Sequence, residues 1–214
     1  MTTVIGHMNF KRSGSIGSVY ALIRSTRTAV ATAALSLAVL FGCLAPAVAD
    51  DAAVTFMRRA AADLINAQKQ SSQTAFERVI KQYGHVPAIG MAALGNYRQG
   101  LQHSDRGAYY QGLARFIGRY AVQESPKYPV SRVVFAPASI NDGRSVMVDS
   151  QVIMTDGTAY DVRWMLIPNR KTFKVRDAQV LNSIWASPFL TRLFESYIAE
   201  NGGRVGSLVV ALNR

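Results

Sequence analysis

The chain is poor in cysteine and in acidic residues. Its single cysteine, Cys43, has no partner in the chain for a disulfide, so we expect burial of apolar side chains to hold the fold together. Only 13 Asp and Glu stand against 24 Lys and Arg, which gives a formal net charge of +11. The basic residues are scattered singly rather than in blocks, which argues against nucleic-acid binding and favours contact with anionic surfaces or acidic partners.

Sequence motifs of catalysis are also missing. The chain has no Gly-x-Ser-x-Gly elbow, no Walker loop, no His-Glu-x-x-His and no cysteine pair. His85 and His103 lie in predicted loops without a carboxylate at metal-ligand spacing, so we expect surface or capping roles for them. The sequence therefore predicts no catalytic residue, no metal site and no enzyme.

The first 49 residues have the composition of a secretory signal peptide. They contain basic residues, no acidic residue, an apolar run and the small-x-small site Ala47-Val48-Ala49. We predict cleavage after Ala49, a periplasmic location, and one domain over residues 50–214. An uncleaved anchor, lipidation at Cys43 and a start at Met8 are the alternatives.

Apolar periodicity and turn residues predict an α+β fold with about six helices and a four-stranded antiparallel meander. The helices are predicted at 52–69, 74–83 and 88–94, after a cap at Ser104, after Ser187-Pro188, and at 205–212. The strands are predicted at 131–140, 144–154, 158–168 and 172–180, with turns at 141–143, 155–157 and 169–171. Asp-Gly supplies the positive φ in the first two turns, and Asn169 is expected in a left-handed position in the third.

The predicted sheet has one strongly apolar face that helices must cover. Alternation puts Val146, Val148 and Val152 on one face of the second strand, and Trp164 and Leu166 on one face of the third. The helix after Ser104, with an apolar stripe from Tyr109 to Tyr120, is the predicted cover. Periodicity alone is compatible with a packed core and with a ligand pocket between helix and sheet.

The order of several short segments resembles the MlaC family, also called the toluene-tolerance family. The stretch 92–97 (Ala-Ala-Leu-Gly-Asn-Tyr) is similar to the family's Ala-Leu-Gly-x-Tyr, and 173–177 (Phe-Lys-Val-Arg-Asp) is similar to Trp-Lys-Val-x-Asp. The Asp142-Gly143 hairpin lies between them, and the closing segment carries Gly202-Gly203. The chain departs from the family pattern at Phe173, at Arg98 and at Asn182, and the link 184–188 is slightly longer.

The resemblance implies a curved antiparallel sheet wrapped by helices, similar to the nuclear-transport-factor cone, with lipid tails held between sheet and helices. The implied function is that of a periplasmic carrier, the soluble component of an ABC-type system that moves phospholipid between the outer and inner membranes and maintains outer-membrane lipid asymmetry. The implied partners are phospholipid, an outer-membrane lipoprotein–porin complex and an inner-membrane ABC transporter with its substrate-binding ring. No cofactor is implied, and the protein is expected to be a monomer.

Alternation and the resemblance together yield fourteen candidate lipid-binding residues. They are Leu94, Tyr97, Leu113, Phe116, Ile117, Tyr120, Phe135, Val146, Val148, Val152, Trp164, Leu166, Val175 and Phe194.

Two other functions stay open from sequence. An enzyme on the same cone-shaped fold would need an inward carboxylate from Asp149, Asp161 or Asp177, although cross-strand pairing with Arg163, Lys174 or Arg176 is the simpler expectation for these residues. A carrier of a hopanoid-like lipid would use the same cavity as a phospholipid carrier.

Overall fold

The computed structural model describes residues 51–181 and 184–214, and these residues form six α-helices and an antiparallel sheet. The helices of this part are α1 (Ala52–Lys69), α2 (Gln73–Tyr83), α3 (Val86–Ala93), α4 (Arg106–Glu124), α5 (Ala186–Glu200) and α6 (Val205–Leu212). The predicted signal peptide, Cys43, Asn182 and Ser183 lie outside the described residues. In the described ranges, no helix combines the length and apolarity needed to cross a membrane. The α+β fold class is confirmed.

The sheet contains four long strands and two short ones. The strands are β1 (Val130–Phe135), β2 (Ile140–Asn141), β3 (Val146–Met154), β4 (Ala159–Asn169), β5 (Thr172–Val180) and β6 (Ile184–Trp185). Their order is β1-β3-β4-β5-β6, every pair is antiparallel, and β2 also pairs with β3. The predicted strand 131–140 is too long, because the pairing stops near Pro137, which has no N–H to donate.

The positive φ angles predicted for the three turns are found with one difference. Gly143 and Gly157 both have φ +84°, as the two Asp-Gly turns require. In the third turn Arg170, not Asn169, takes the left-handed conformation, with φ +55°. The prediction for Asn169 is wrong, because Asn169 pairs with Thr172 as the last residue of β4 and leaves the turn position to Arg170.

An irregularity in the β4–β5 ladder keeps apolar residues on one face. Leu166 lies opposite Val175 and Trp164 lies opposite Ala178, with a register shift between them. Val175 and Ala178 are three residues apart, so strict alternation would place them on opposite faces. The β-bulge lets both share the face that carries Trp164, which is called the inner face below.

Helix α1 lies directly on the sheet, in contact with β1, β3 and β5. Its N-terminus is capped by Asp51, whose Oδ1 accepts hydrogen bonds from the N–H of Ala53 and Val54 at 2.9 and 3.1 Å. Val54 and Met57 of its apolar stripe are each only 1% exposed. The stripe therefore covers the inner face.

Helix α4 packs chiefly against α2, α3 and α6, and only its end, at Ala121 and Val122, reaches the apolar residues of the inner face, so α1 rather than the predicted α4 is the main cover of the sheet. Small residues explain the difference. A Cβ at Gly112 would lie 2.7 Å from Asn213 Nδ2, and one at Gly118 would lie 3.1 Å from the carbonyl oxygen of Gln73. These glycines let neighbouring helices approach α4 closely. The predicted cap Ser104 is also replaced, because Asp105 is the residue at the N-cap.

Two apolar clusters result from this packing. The first joins α1 and α2 to the inner face, around Met57, Val148 and Leu166. The second lies among α3, α4, α5 and α6, around Leu113 and Phe194. His85 caps α3 by accepting the Ala88 N–H at Nδ1 (3.0 Å), which confirms its expected capping role.

Candidate functional site: an apolar cavity between sheet and helices

A cavity of about 290 Å³ lies beside the first cluster, between the sheet and the ends of three helices. Its lining comes from α1, α2, the end of α4, and β1, β3 and β4. The lining residues are Ala61, Leu64, Ile65, Gln68, Phe76, Tyr120, Ala121, Glu124, Ser125, Tyr128, Val130, Val133, Val152 and Trp164. Most of these side chains are aliphatic or aromatic, so the wall suits an apolar ligand.

Trp164 forms part of the wall on the sheet side. Its indole Nε1 donates a hydrogen bond of 2.9 Å to Ser150 Oγ, and that hydroxyl donates to the Val162 carbonyl oxygen at 3.2 Å. Ser150 is only 6% exposed. The indole N–H is satisfied behind the wall, so the ring presents apolar surface to the cavity.

The cavity meets solvent near two tyrosines. Tyr120 and Tyr128 are 41% and 55% exposed although both line the cavity. Burial, and then the nearby Glu124 carboxylate, raise the pKa of Tyr120 above its ordinary value. Lys127 Nζ lies 2.9 Å from Glu124 Oε1 and balances the one charged side chain in the lining.

Gln68, at the end of α1, forms three hydrogen bonds at the edge of the cavity. Its Nε2 donates to the carbonyl oxygens of Ser125 and Tyr128 at 2.9 Å each, and its Oε1 accepts the Val130 N–H at 3.1 Å. All three backbone partners belong to cavity-lining residues. One side chain therefore joins α1 to the connection between α4 and β1.

The three strand aspartates are absent from the cavity lining. Asp149 and Arg163 pair across the strands with Oδ1–Nε and Oδ2–Nη2 distances of 2.6 and 2.8 Å, and this bond holds the pKa of Asp149 below its ordinary value. Asp161 accepts from Gln151 Nε2 at 3.2 Å, and Asp177 accepts the Ser187 N–H at the start of α5. The expected cross-strand pairing with a basic side chain is confirmed for Asp149, whereas Asp161 and Asp177 accept from Gln151 and from the Ser187 N–H instead.

A second groove, of about 460 Å³, includes Asp149, Asp161 and Arg163 in its lining together with apolar residues such as Val134. Across residues 51–181 and 184–214, no three His, Cys, Asp or Glu side chains come together as a potential metal site.

The fourteen predicted lipid-binding residues divide among three places. Tyr120, Val152 and Trp164 line the cavity. The first cluster contains Val146, Val148 and Leu166, with Phe135 and Val175 packed against it. The second cluster contains Leu94, Leu113 and Phe194, with Tyr97, Phe116 and Ile117 packed against it. Lipid contact stays a prediction for all fourteen.

Sequence reasoning missed all of the lining that comes from α1 and α2. Leu64 and Ile65 belong to the apolar stripe of α1, and Phe76 belongs to that of α2. A helical stripe has the same period whether it faces a solid core or a cavity, so no signal in the sequence separated these residues from ordinary core.

Comparison with known proteins identifies a family whose model matches this chain and a solved structure with a similar fold. A family model described as MlaC protein matches residues 50–206. A solved structure of a phospholipid-binding protein from Ralstonia solanacearum, in complex with a phospholipid, superposes with a TM-score of 0.61 at 17% sequence identity. The match covers 76% of this chain and 95% of that one. A search of curated proteins finds no match.

Proposed function

The chain belongs to the MlaC family, and we propose that it is a periplasmic carrier that binds phospholipid in the cavity between sheet and helices. The observation that carries the proposal is the apolar cavity itself, walled by Leu64, Ile65, Phe76, Val133 and Trp164. The similar fold from Ralstonia solanacearum, which was solved with a phospholipid, supports this choice of ligand.

Transfer free energies explain why such a carrier needs a cavity rather than a surface groove. The tails of a two-chain phospholipid have about 30 methylenes, and each costs about 0.8 kcal/mol to expose to water, or about 25 kcal/mol in all. A carrier that crosses an aqueous compartment must replace most of that contact with apolar protein surface. The mechanism is then transfer without bond chemistry: docking, movement of the tails between cavities, and release.

The first 49 residues would direct the carrier to the periplasm, and residues 50–214 would form the lipid-binding domain. In that compartment the carrier would act as a monomer between an outer-membrane lipoprotein–porin complex and an inner-membrane ABC lipid transporter with its substrate-binding ring. The excess of Lys and Arg over Asp and Glu suits acidic docking faces on these partners.

A vesicle transfer assay tests the proposal. Donor vesicles carry a fluorescent phospholipid, acceptor vesicles carry none, and the processed protein is added at increasing concentration. The proposal predicts a transfer rate that rises with protein concentration. A rate equal to that of vesicles alone, at every protein concentration, would contradict it. The same assay with a fluorescent hopanoid-like lipid identifies the preferred cargo.

A further inference from the structure

Residues 125–130, called the rim segment below, connect α4 to β1 and form one edge of the cavity. Ser125, Tyr128 and Val130 of this segment line the cavity, whereas Pro126 and Lys127 are exposed. A segment with few buried side chains is held chiefly by its hydrogen bonds, so those bonds decide how easily it moves.

Gln68 supplies the bonds between the rim segment and α1. Its side-chain amide donates to two backbone carbonyls, of Ser125 and Tyr128, and accepts one backbone N–H, of Val130. The residues joined are 57 to 62 positions apart in the chain. The other contacts of the segment are local or run to the end of β3, where Val130 pairs with Met154 and the Thr155 N–H donates to the Pro129 carbonyl oxygen at 2.9 Å.

The size of the cavity gives this arrangement a consequence for lipid binding. Its volume of about 290 Å³ lies at the lower end of the roughly 300–1,000 Å³ of pockets that hold drug-sized ligands. A two-chain phospholipid, with about 30 methylenes in its tails, is larger than such a ligand. The cavity must widen to accept both tails, and the rim segment, with the exposed Tyr128, forms an exposed edge of its wall.

We infer that Gln68 is the positioning residue of the rim segment: its three hydrogen bonds hold the segment against α1, and their release opens the cavity and sets the rate of lipid exchange. The inference rests on the proposed lipid-carrier function. It assigns a kinetic role to a polar side chain in a largely apolar wall.

Two substitutions at Gln68 remove its hydrogen bonds while keeping the length of the side chain. Gln68→Glu keeps the length and the acceptor but cannot donate to the Ser125 and Tyr128 carbonyls when ionised. Gln68→Met keeps the length and removes all three bonds. Gln70→Glu is the matched control, because Gln70 is exposed two residues further along and the change in charge is the same.

The first measurement is amide hydrogen exchange of the lipid-free protein. The N–H groups of Tyr128 and Thr155 report on the rim segment without being partners of Gln68. The loss of two hydrogen bonds in Gln68→Glu and of three in Gln68→Met is expected to speed their exchange by at least about tenfold, and Gln70→Glu should match wild type. Equal exchange in wild type and both variants would overturn the inference.

The second measurement is the rate at which bound fluorescent phospholipid leaves for excess vesicles. Both Gln68 variants should release lipid several times faster than wild type and Gln70→Glu, with circular dichroism spectra unchanged. Faster amide exchange with unchanged lipid release would overturn the role of Gln68 in exchange while leaving the carrier function intact. Failure of wild type to take up lipid at all would count against the carrier function, and the amide measurement would still test whether Gln68 holds the segment.

Discussion

Trp164 and Ser150, on neighbouring strands, are joined by a hydrogen bond of 2.9 Å from the indole Nε1 to the serine Oγ. The pairing of Ser150 with Val162 and of Val148 with Trp164 makes this contact a diagonal one across β3 and β4. The bond fixes the largest side chain in the sheet side of the cavity wall.

Ser150→Ala should therefore lower the free energy of unfolding by about 1 kcal/mol, because it leaves the indole N–H without its acceptor. Urea denaturation measures the change. Ser131→Ala, at an exposed position of β1, is the control and should stay within about 0.5 kcal/mol of wild type. An equal effect of the two substitutions would show that the bond to Trp164 does not contribute to stability.

Ala61 and Ala62 are neighbours on α1 with opposite environments. Ala61 lines the cavity, whereas Ala62 is exposed. Ala61→Phe should fill the cavity and reduce bound phospholipid by about tenfold, with a stability cost no greater than the roughly 1–3 kcal/mol of over-packing. Ala62→Phe should load lipid like wild type. Quantitative lipid extraction from both purified variants measures the bound phospholipid. Equal amounts in Ala61→Phe and wild type would show that the lipid does not bind in this cavity.

Tyr109 is buried in the second cluster and its hydroxyl donates to the Gly90 carbonyl oxygen at 2.7 Å. Burial raises the pKa of Tyr109 well above its ordinary value of 10.0. Its contribution to stability is complete below pH 10.0, where the unfolded chain also keeps the proton, and is lost progressively as pH rises further. The free energy of unfolding should fall above that pH in wild type and less steeply in Tyr109→Phe. Denaturation curves at a series of alkaline pH values test this, and identical slopes would contradict it.

The pair Asp149–Arg163 allows a test of the enzyme alternative. Asp149→Asn should leave vesicle-to-vesicle lipid transfer unchanged and alter stability by less than about 1 kcal/mol, because both side chains are 39% exposed. The pKa of Asp149 is lowered, so its small contribution is present above its ordinary value of 3.8 and is lost as pH falls through the folded-state pKa. Abolished transfer in a folded Asp149→Asn variant would favour a chemical role for this carboxylate.

Much of the fold follows from local sequence. Helices α1 and α6 have the predicted bounds because their apolar spacing and flanking polar residues leave few alternatives. The two Asp-Gly turns and the capping role of His85 are confirmed for the same reason, since each depends on residues within one turn of chain.

The predictions that failed depend on contacts distant in sequence. The apolar stripe of α4 could pack against a sheet or against other helices. It packs against helices because Gly112 and Gly118 let them approach closely. The β-bulge that places Val175 and Ala178 on one face also could not be predicted from the alternation of apolar and polar residues. The placement of Gln68 at the rim could not be predicted, because a polar residue at a helix end has no sequence pattern of its own.

The native mass spectrum of the purified, processed protein tests the carrier assignment most directly. Protein produced in a bacterial host and kept from detergent should show, besides the polypeptide mass, a species heavier by one phospholipid, and that lipid should be extractable and identifiable. Ala61→Phe should show mainly the bare polypeptide under the same conditions. A wild-type spectrum with the bare mass alone, and no lipid in the extract, would contradict the proposal that this cavity carries phospholipid.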